Sequence, residues 1–232
     1  DTGVDGVCPT YDARGGLRKF DGDGDGTGHC DMGSFEFIAE PEISLVQVAE
    51  TVTEGDPFLH IRLKLSHRYP IPVTVKVFSA GGTATPGNDF TSPGTNGYLL
   101  ASSPSSTNFG LDLGIQQDSL DEPDETAVFR VANAVNGTIS GPNESTTTIT
   151  DDDAAPTISF ETAKSSGLER VKHPQIVVKL SAPSGYDVQP ALGIESTAKP
   201  GSDFTGPAPI LIPPGKTSAV LDWAVVDLDT DE

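Results

Sequence analysis

The chain has 232 residues, room for one large domain or two of ordinary size. Glycine and proline, 25 and 19 residues, shorten regular elements and multiply turns, which excludes long helical bundles. Acidic residues outnumber basic ones 34 to 14, and the net charge of -20 excludes a protein that grips a phosphate backbone, which needs a basic footprint. The longest apolar runs fall short of the roughly 18 to 20 residues that cross a bilayer, so no direct membrane insertion is expected. No signal-peptide pattern opens the sequence. It begins at Asp1, its one methionine is Met32, and it stops on Asp229-Thr230-Asp231-Glu232 in mid-pattern, so it reads as a fragment of a longer polypeptide.

Residues 1–40 form a head unrelated to the rest of the chain. Its Cys8 and Cys30 are the only cysteines of the chain. A disulfide in an exported protein would stabilise by about 3 kcal/mol through restriction of the unfolded chain; two free buried thiols are the alternative. Zinc is disfavoured, because only His29 is near and no C-x-x-C spacing occurs. Asp21-Gly22-Asp23-Gly24-Asp25-Gly26 spaces carboxylates as a calcium loop begins, yet the twelfth position holds Met32 rather than Glu, which leaves a weak calcium loop and a plain glycine-rich turn both open. The Cys8-Pro9 stretch, Asp12-x-Arg14-Gly15 and Cys30-Asp31-Met32-Gly33-Ser34-Phe35-Glu36 resemble the closing segment of secreted bacterial right-handed parallel β-helix proteins. That resemblance implies a β-helix upstream in the parent.

After the head the sequence repeats itself. Ile43–Ser66 and Ile158–Ser181 align without a gap, and Thr83-Ala84-Thr85-Pro86-Gly87-Asn88-Asp89-Phe90 returns as Thr197-Ala198-Lys199-Pro200-Gly201-Ser202-Asp203-Phe204. Within the first copy the apolar period is 2. Leu59, Ile61, Leu63 and Leu65 alternate with His60, Arg62 and Lys64, as do Val73, Val75 and Val77 with Thr74 and Lys76, and Phe109, Leu111, Leu113 and Ile115 form a third row. Adding Ile43–Val48, Tyr98–Leu100, Thr126–Val131 and Ser145–Thr150 predicts seven strands, A to G. The fold expected is all-β, an immunoglobulin-like antiparallel seven-stranded sandwich over 41–153. A second, incomplete copy over 157–232 would have strands at Ile158, Gln175, Val188, Ile210 and Ala219.

Strand parity then places the charge. If each strand reverses direction, the A–B, C–D and E–F connections and the exit from G share one pole. Those segments carry Glu54 and Asp56; Asp89; Asp118, Asp121, Glu122, Asp124 and Glu125; and Asp151, Asp152 and Asp153. The other pole offers His67, Arg68, Ser102, Ser103 and Asn133, with Glu144 as its one carboxylate. So many like charges raise one another's pKa and weaken the fold unless a cation is present. The donor set suits calcium, which takes about 6 to 8 oxygens, and lacks the His and Cys that zinc prefers. Asp56, Asp121 and Asp124 are read as the members that are merely solvated surface.

Glu54-Gly55-Asp56, Gly82-Thr83-Ala84-Thr85-Pro86-Gly87-Asn88-Asp89-Phe90, Glu122-Pro123-Asp124-Glu125-Thr126 and Asp151-Asp152-Asp153 resemble, in order, the motifs of the Calx-beta domain. The resemblance covers 43–153 and, incompletely, 157–232. It implies a seven-stranded sandwich, found as regulatory calcium sensors in sodium/calcium exchangers and as repeats in large bacterial surface and secreted proteins. It implies calcium ligands at Glu54, Asp89, Asp118, Glu122, Glu125, Asp151, Asp152 and Asp153. Gln117-Asp118 stands where the family often has two aspartates, which implies fewer ions or weaker affinity. In the second copy Glu169, Asp203, Asp227 and Glu232 match, but Arg170-Val171 replaces Gly-Asp and Leu228 stands opposite Asp118, so its calcium site stays open.

No G-x-S-x-G, H-E-x-x-H, P-loop or G-x-G-x-x-G at a strand-to-helix junction occurs, and His29, His60, His67 and His173 have no spaced partners, so catalysis is not expected. The expectation is a calcium-binding structural or adhesive repeat module of a large secreted or cell-surface protein. Its partners would be calcium ions and cell-surface or matrix ligands, without nucleic acid. The competing reading is a non-catalytic spacer of a polysaccharide-active β-helix enzyme.

Overall fold

A computed structural model of the chain describes residues 39–168 and 173–226, and in the head only 9–11, 13, 18, 27 and 28. The Cys8–Cys30 pairing, the Asp21–Gly26 run, and Glu169, Asp227 and Glu232 lie outside the described residues. Among the described residues every regular element is a strand. The chain forms two compact units, Asp1–Gln117 with Asp124–Thr150, and Asp118–Pro123 with Asp151–Glu232.

The first unit holds β1 (Glu42–Leu45), β2 (Ala49–Thr53), β3 (Phe58–Leu65), β4 (Thr74–Gly82), β5 (Tyr98–Ala101), β6 (Asn108–Gly114), β7 (Glu125–Val135), β8 (Thr138–Ile139) and β9 (Glu144–Thr150). They make two sheets, in the orders β6-β3-β1-β8 and β2-β9-β7-β4-β5. The alternation read in the sequence decides which side chains enter the core. Leu59, Ile61, Leu63 and Leu65 of the first sheet and Val75, Val77, Ala127, Phe129, Val131 and Ile149 of the second are buried in one cluster. Each large aliphatic side chain so buried contributes about 1.5 to 3 kcal/mol. Phe90 enters from the β4–β5 connection and meets Phe129 edge-on, with ring centroids 5.4 Å apart and planes at 79°.

The strand expected at Ile43–Val48 is two strands. β1 pairs antiparallel with β3, whereas β2 pairs parallel with β9 in the other sheet. The physical cause is a change of parity. Ile43 is buried and Leu45 half-buried, then Val46 and Val48 are exposed, and the next buried residue is Val52. An odd-numbered inward row becomes an even-numbered one, so the chain turns over as it crosses. The crossing is held by Val46 N–H donating to Arg62 O (2.9 Å) and Thr146 N–H donating to Val48 O (2.9 Å). Two further differences are local. β8 adds a short parallel pair to β1, and β4 continues past Val77 to Gly82 through an irregularity opposite β7. Gly82 has φ +107°, and a Cβ there would lie 1.9 Å from Thr126 O, so this close approach admits only glycine.

Thr147 on β9 faces the core, is fully buried, and its Oγ1 has no hydrogen-bond partner. An unmatched buried hydroxyl costs about 1 to 3 kcal/mol. Thr147→Val keeps the branched shape without the hydroxyl and is expected to raise stability by about 1 kcal/mol. Urea unfolding checks this, and an unchanged or lower midpoint would mean that the hydroxyl is satisfied in solution.

The second unit repeats part of this plan. β10 (Ile158–Phe160), β11 (Ile176–Leu180) and β13 (Ser218–Leu221) form one sheet, while β12 (Phe204–Thr205) pairs with β14 (Ala224–Val225). Ile158 opposes Leu180 as Ile43 opposes Leu65. Val178, Leu180, Ile210, Ile212 and Leu221 make its core. The strands expected near Val188 and Ile210 reduce to one antiparallel bridge, Val188 to Ile212. Pro190, Pro207, Pro209, Pro213 and Pro214 flank it, and a residue without an N–H cannot extend a ladder.

Candidate metal centre

Backbone pairing in the first unit fixes the connections that carry Glu54 and Asp89. β2 and β9 run together as far as Thr53 and Thr150, and Glu54 N–H then donates to Thr150 O (3.1 Å), so Glu54 sits where the chain leaves β9. The β4–β5 connection starts beside β7, with Ala84 N–H donating to Thr126 O (2.9 Å) and Thr126 N–H donating to Thr83 Oγ1 (2.9 Å). Its other arm is tied to the exit from β6, with Thr91 N–H donating to Gly114 O (2.7 Å) and Gln116 N–H to Asp89 O (2.9 Å).

Asp151–Asp153 continue directly from β9. Carboxylate oxygens of Glu54, Asp152 and Asp153 lie within 4.8 Å of one another, Glu54 and Asp153 half-buried and Asp152 exposed. Oδ2 of Asp153 is buried and has no hydrogen-bond partner. Burial, and then the charges of Asp151, Asp152, Asp118 and Asp121, push the Asp153 carboxyl above its ordinary value. A carboxylate whose ionised form is disfavoured by its acidic neighbours is one that a bound cation would stabilise. The donors are all oxygens, and His60 and His67 are engaged with other partners. His60 Nδ1 is 2.8 Å from Glu50 Oε1, and His67 Nε2 is 3.0 Å from Ala39 O. Three carboxylates, supplemented by carbonyls and water, would suit calcium's flexible oxygen shell.

The remaining expected ligands fall in different places. Asp118 is among the charges acting on Asp153, and its Oδ1 accepts from Leu120 N–H (2.7 Å). Asp151 is half-buried at the head of the run. Asp89 uses Oδ2 to accept the N–H of Thr85, closing its own loop. The second copy does the same with Asp203 and Lys199 N–H (2.7 Å). Glu125 opens β7 opposite Ile149, and the Glu122 side chain lies against Gly185 in the second unit. Neither glutamate belongs to the close group. Asp56 caps its turn by accepting from Thr53 N–H (2.8 Å).

Asp121 is not the solvated surface residue its sequence context suggested. It is half-buried, acts on Asp153, and takes part in a short parallel bridge with Ser184 inside the second unit. Its partner is 63 residues away, so no local pattern announces it.

The Calx-beta domain family matches residues 39–153 and 151–232. A search of curated proteins found no match. Among solved structures the chain is similar to CBD12 from CALX1.2, at 20% identity over 81% of this chain and 77% of that one, with a TM-score of 0.43. It is also similar to the apo form of the Calx CBD1 domain, at 24% identity over 49% of this chain and 98% of that one, with a TM-score of 0.44. A third similarity is to calcium binding domain CBD12 of CALX1.1, at 19% identity over 80% of this chain and 76% of that one, with a TM-score of 0.43.

Proposed function

The chain belongs to the Calx-beta domain family, and on that premise we propose that it is a calcium-binding repeat module of a larger secreted or cell-surface protein. The observation that carries the reading is the close group of Glu54, Asp152 and Asp153, together with a buried Asp153 oxygen that has no hydrogen-bond partner. Those three residues would hold the ion, with Asp118, Asp121 and Asp151 adding negative potential. The family resemblance adds Asp89, Glu122 and Glu125 to the wider ligand set. Calcium supplies charge neutralisation and no chemistry of bond making, so the module is structural rather than catalytic. An ion on Asp151–Asp153 would also restrain the Ala154-Ala155-Pro156 linker next to it, where Pro156 already fixes one backbone angle. A stiffened joint suits a repeat that projects an adhesive region from a surface, in an extracellular setting where calcium is plentiful.

The test is calcium titration of the full chain by calorimetry, paired with thermal unfolding in calcium and in chelator. A ligand that binds only the folded state at 100 times its Kd stabilises by about 2.7 kcal/mol. The midpoint is therefore expected to rise with calcium, and magnesium, which keeps its waters, to give much less. Equal midpoints and no heat of binding would overturn the reading.

A further inference from the structure

Each of the two sheets in the first unit ends on two edge strands, and an open edge is a template for another strand. Three of these edges are protected. β6 carries Asp112 between Gly110 and Gly114, β2 carries Glu50 and runs into Glu54, and β8 is two residues long. β5, four residues long, has no charge, proline or glycine in it. Its Tyr98 and Leu99 are 48% and 59% exposed, and residues 90–111 around it hold no Asp, Glu, Lys, Arg or His, the longest uncharged run of the chain. Its pairing with β4 shows which backbone groups are open. Ser102 N–H donates to Val73 O (2.8 Å), and the register continues through Leu100 opposite Val75 and Tyr98 opposite Val77. Those alternate residues face β4, so the N–H and C=O of Leu99 and Ala101 point the other way. Lys76 lies one strand in, opposite Leu99, and its ammonium donates to Asn96 O (3.1 Å).

We propose that β5 is a self-association edge, where β5 of a second copy of this chain adds antiparallel and joins the two five-stranded sheets into one. The charge distribution selects that occupant. At a net charge of -20 two copies repel over most approaches, and a neutral strip meeting the same neutral strip keeps like charges apart along the contact. Two identical edges running antiparallel also satisfy two-fold symmetry, with Leu99 of one copy opposite Ala101 of the other and each pair exchanging both backbone bonds. Tyr98 and Leu99 lose exposed apolar area in the contact, which supplies the driving force. A four-residue strand buries little, so the dimer is weak, with a Kd of about 0.1 to 1 mM. The proposal is independent of the calcium reading.

The experiment is sedimentation equilibrium of the full chain in chelator from micromolar to millimolar concentration, at low and high salt, with amide hydrogen exchange at both ends of the concentration range. Wild type is expected to move from monomer towards dimer, more strongly at high salt, because screening removes the repulsion. The Leu99 and Ala101 amides should gain protection as concentration rises. Leu99→Lys places a charge on the edge, Ala101→Pro removes an N–H that β4 does not use, and each is expected to weaken the dimer about tenfold or more. Both positions are exposed and spend no backbone bond on β4, so each variant keeps the fold of the monomer, read by an unchanged unfolding midpoint at low concentration. Thr51→Lys makes the same charge change on the exposed β2 edge and should not weaken association. A monomer at every concentration, a dimer that survives both β5 variants, one weakened as much by Thr51→Lys, or protection confined to other residues overturns the proposal.

Discussion

Asp153→Asn is expected to raise the unfolding midpoint of the protein in chelator and to remove most of the further rise that calcium brings. The two effects have opposite signs and one cause. The Asp153 carboxyl is raised above its ordinary 3.8 by burial and by Asp151, Asp152, Asp118 and Asp121. The folded chain therefore binds that proton more tightly than the unfolded chain does. Stability must fall as pH rises from the unfolded pKa through the raised one, and it is recovered on acidification. At neutral pH the ionised group opposes folding, and a neutral amide of the same shape relieves it. A bound calcium ion would reverse the balance, since it would favour the ionised form and its affinity would fall as protons compete. With one charged ligand removed, calcium should bind roughly ten- to a hundredfold more weakly. Thermal unfolding from about the ordinary carboxyl value of 3.8 up to neutral pH, in calcium and in chelator, separates these effects. Wild type in chelator should lose stability across that range more steeply than Asp153→Asn. A variant less stable than wild type in chelator would show that the carboxylate has a favourable partner and is not waiting for a cation.

The strands were legible because an inward row of large aliphatics at period 2 leaves little choice, as at Leu59 to Leu65. β2 was not, because Val52 is its one buried residue and its partner β9 lies far along the chain. The nearness of Glu54 to Asp152 and Asp153 follows from pairing, since β2 and β9 run side by side up to the residues that carry them. Parity says nothing of what each side chain does on arrival. Asp89 spends an oxygen on Thr85 N–H, a short-range bond that its Pro86-Gly87 turn invites. Asp121 is bound by Ser184, a partner fixed only by tertiary structure. Charge placement is thus a property of the fold, whereas ligand selection depends on which carboxylates the local backbone has already claimed.

Phe90→Ala is expected to be the costliest single change in the first unit, at about 3 to 5 kcal/mol. Phe90 is fully buried, and its ring meets Phe129 of β7 edge-on. Its carbonyl closes the loop that carries Asp89 by accepting from Gly87 N–H (2.8 Å), and the next residue ties that loop to β6, with Thr91 N–H donating to Gly114 O (2.7 Å). Truncation opens a cavity at the point where the second sheet meets the loop, and removes the aromatic contact as well. Phe90→Leu keeps most of the volume and should cost about 1.5 kcal/mol or less beyond the lost ring contact. The second copy makes the same point with a different partner, since Phe204 packs on Trp223 at 5.6 Å and 58°. An aromatic is needed at this position to root the loop, and the identity of the facing ring is free to change. Against a typical total of about 5 to 15 kcal/mol, a loss of this size leaves a large unfolded population in chelator. Urea unfolding of the two variants reads the difference, with an unchanged slope showing that both still fold to the same compact state. If Phe90→Ala cost no more than Phe90→Leu, the loop would have to be held by its hydrogen bonds alone, and the ring would be filling space rather than fixing the pole.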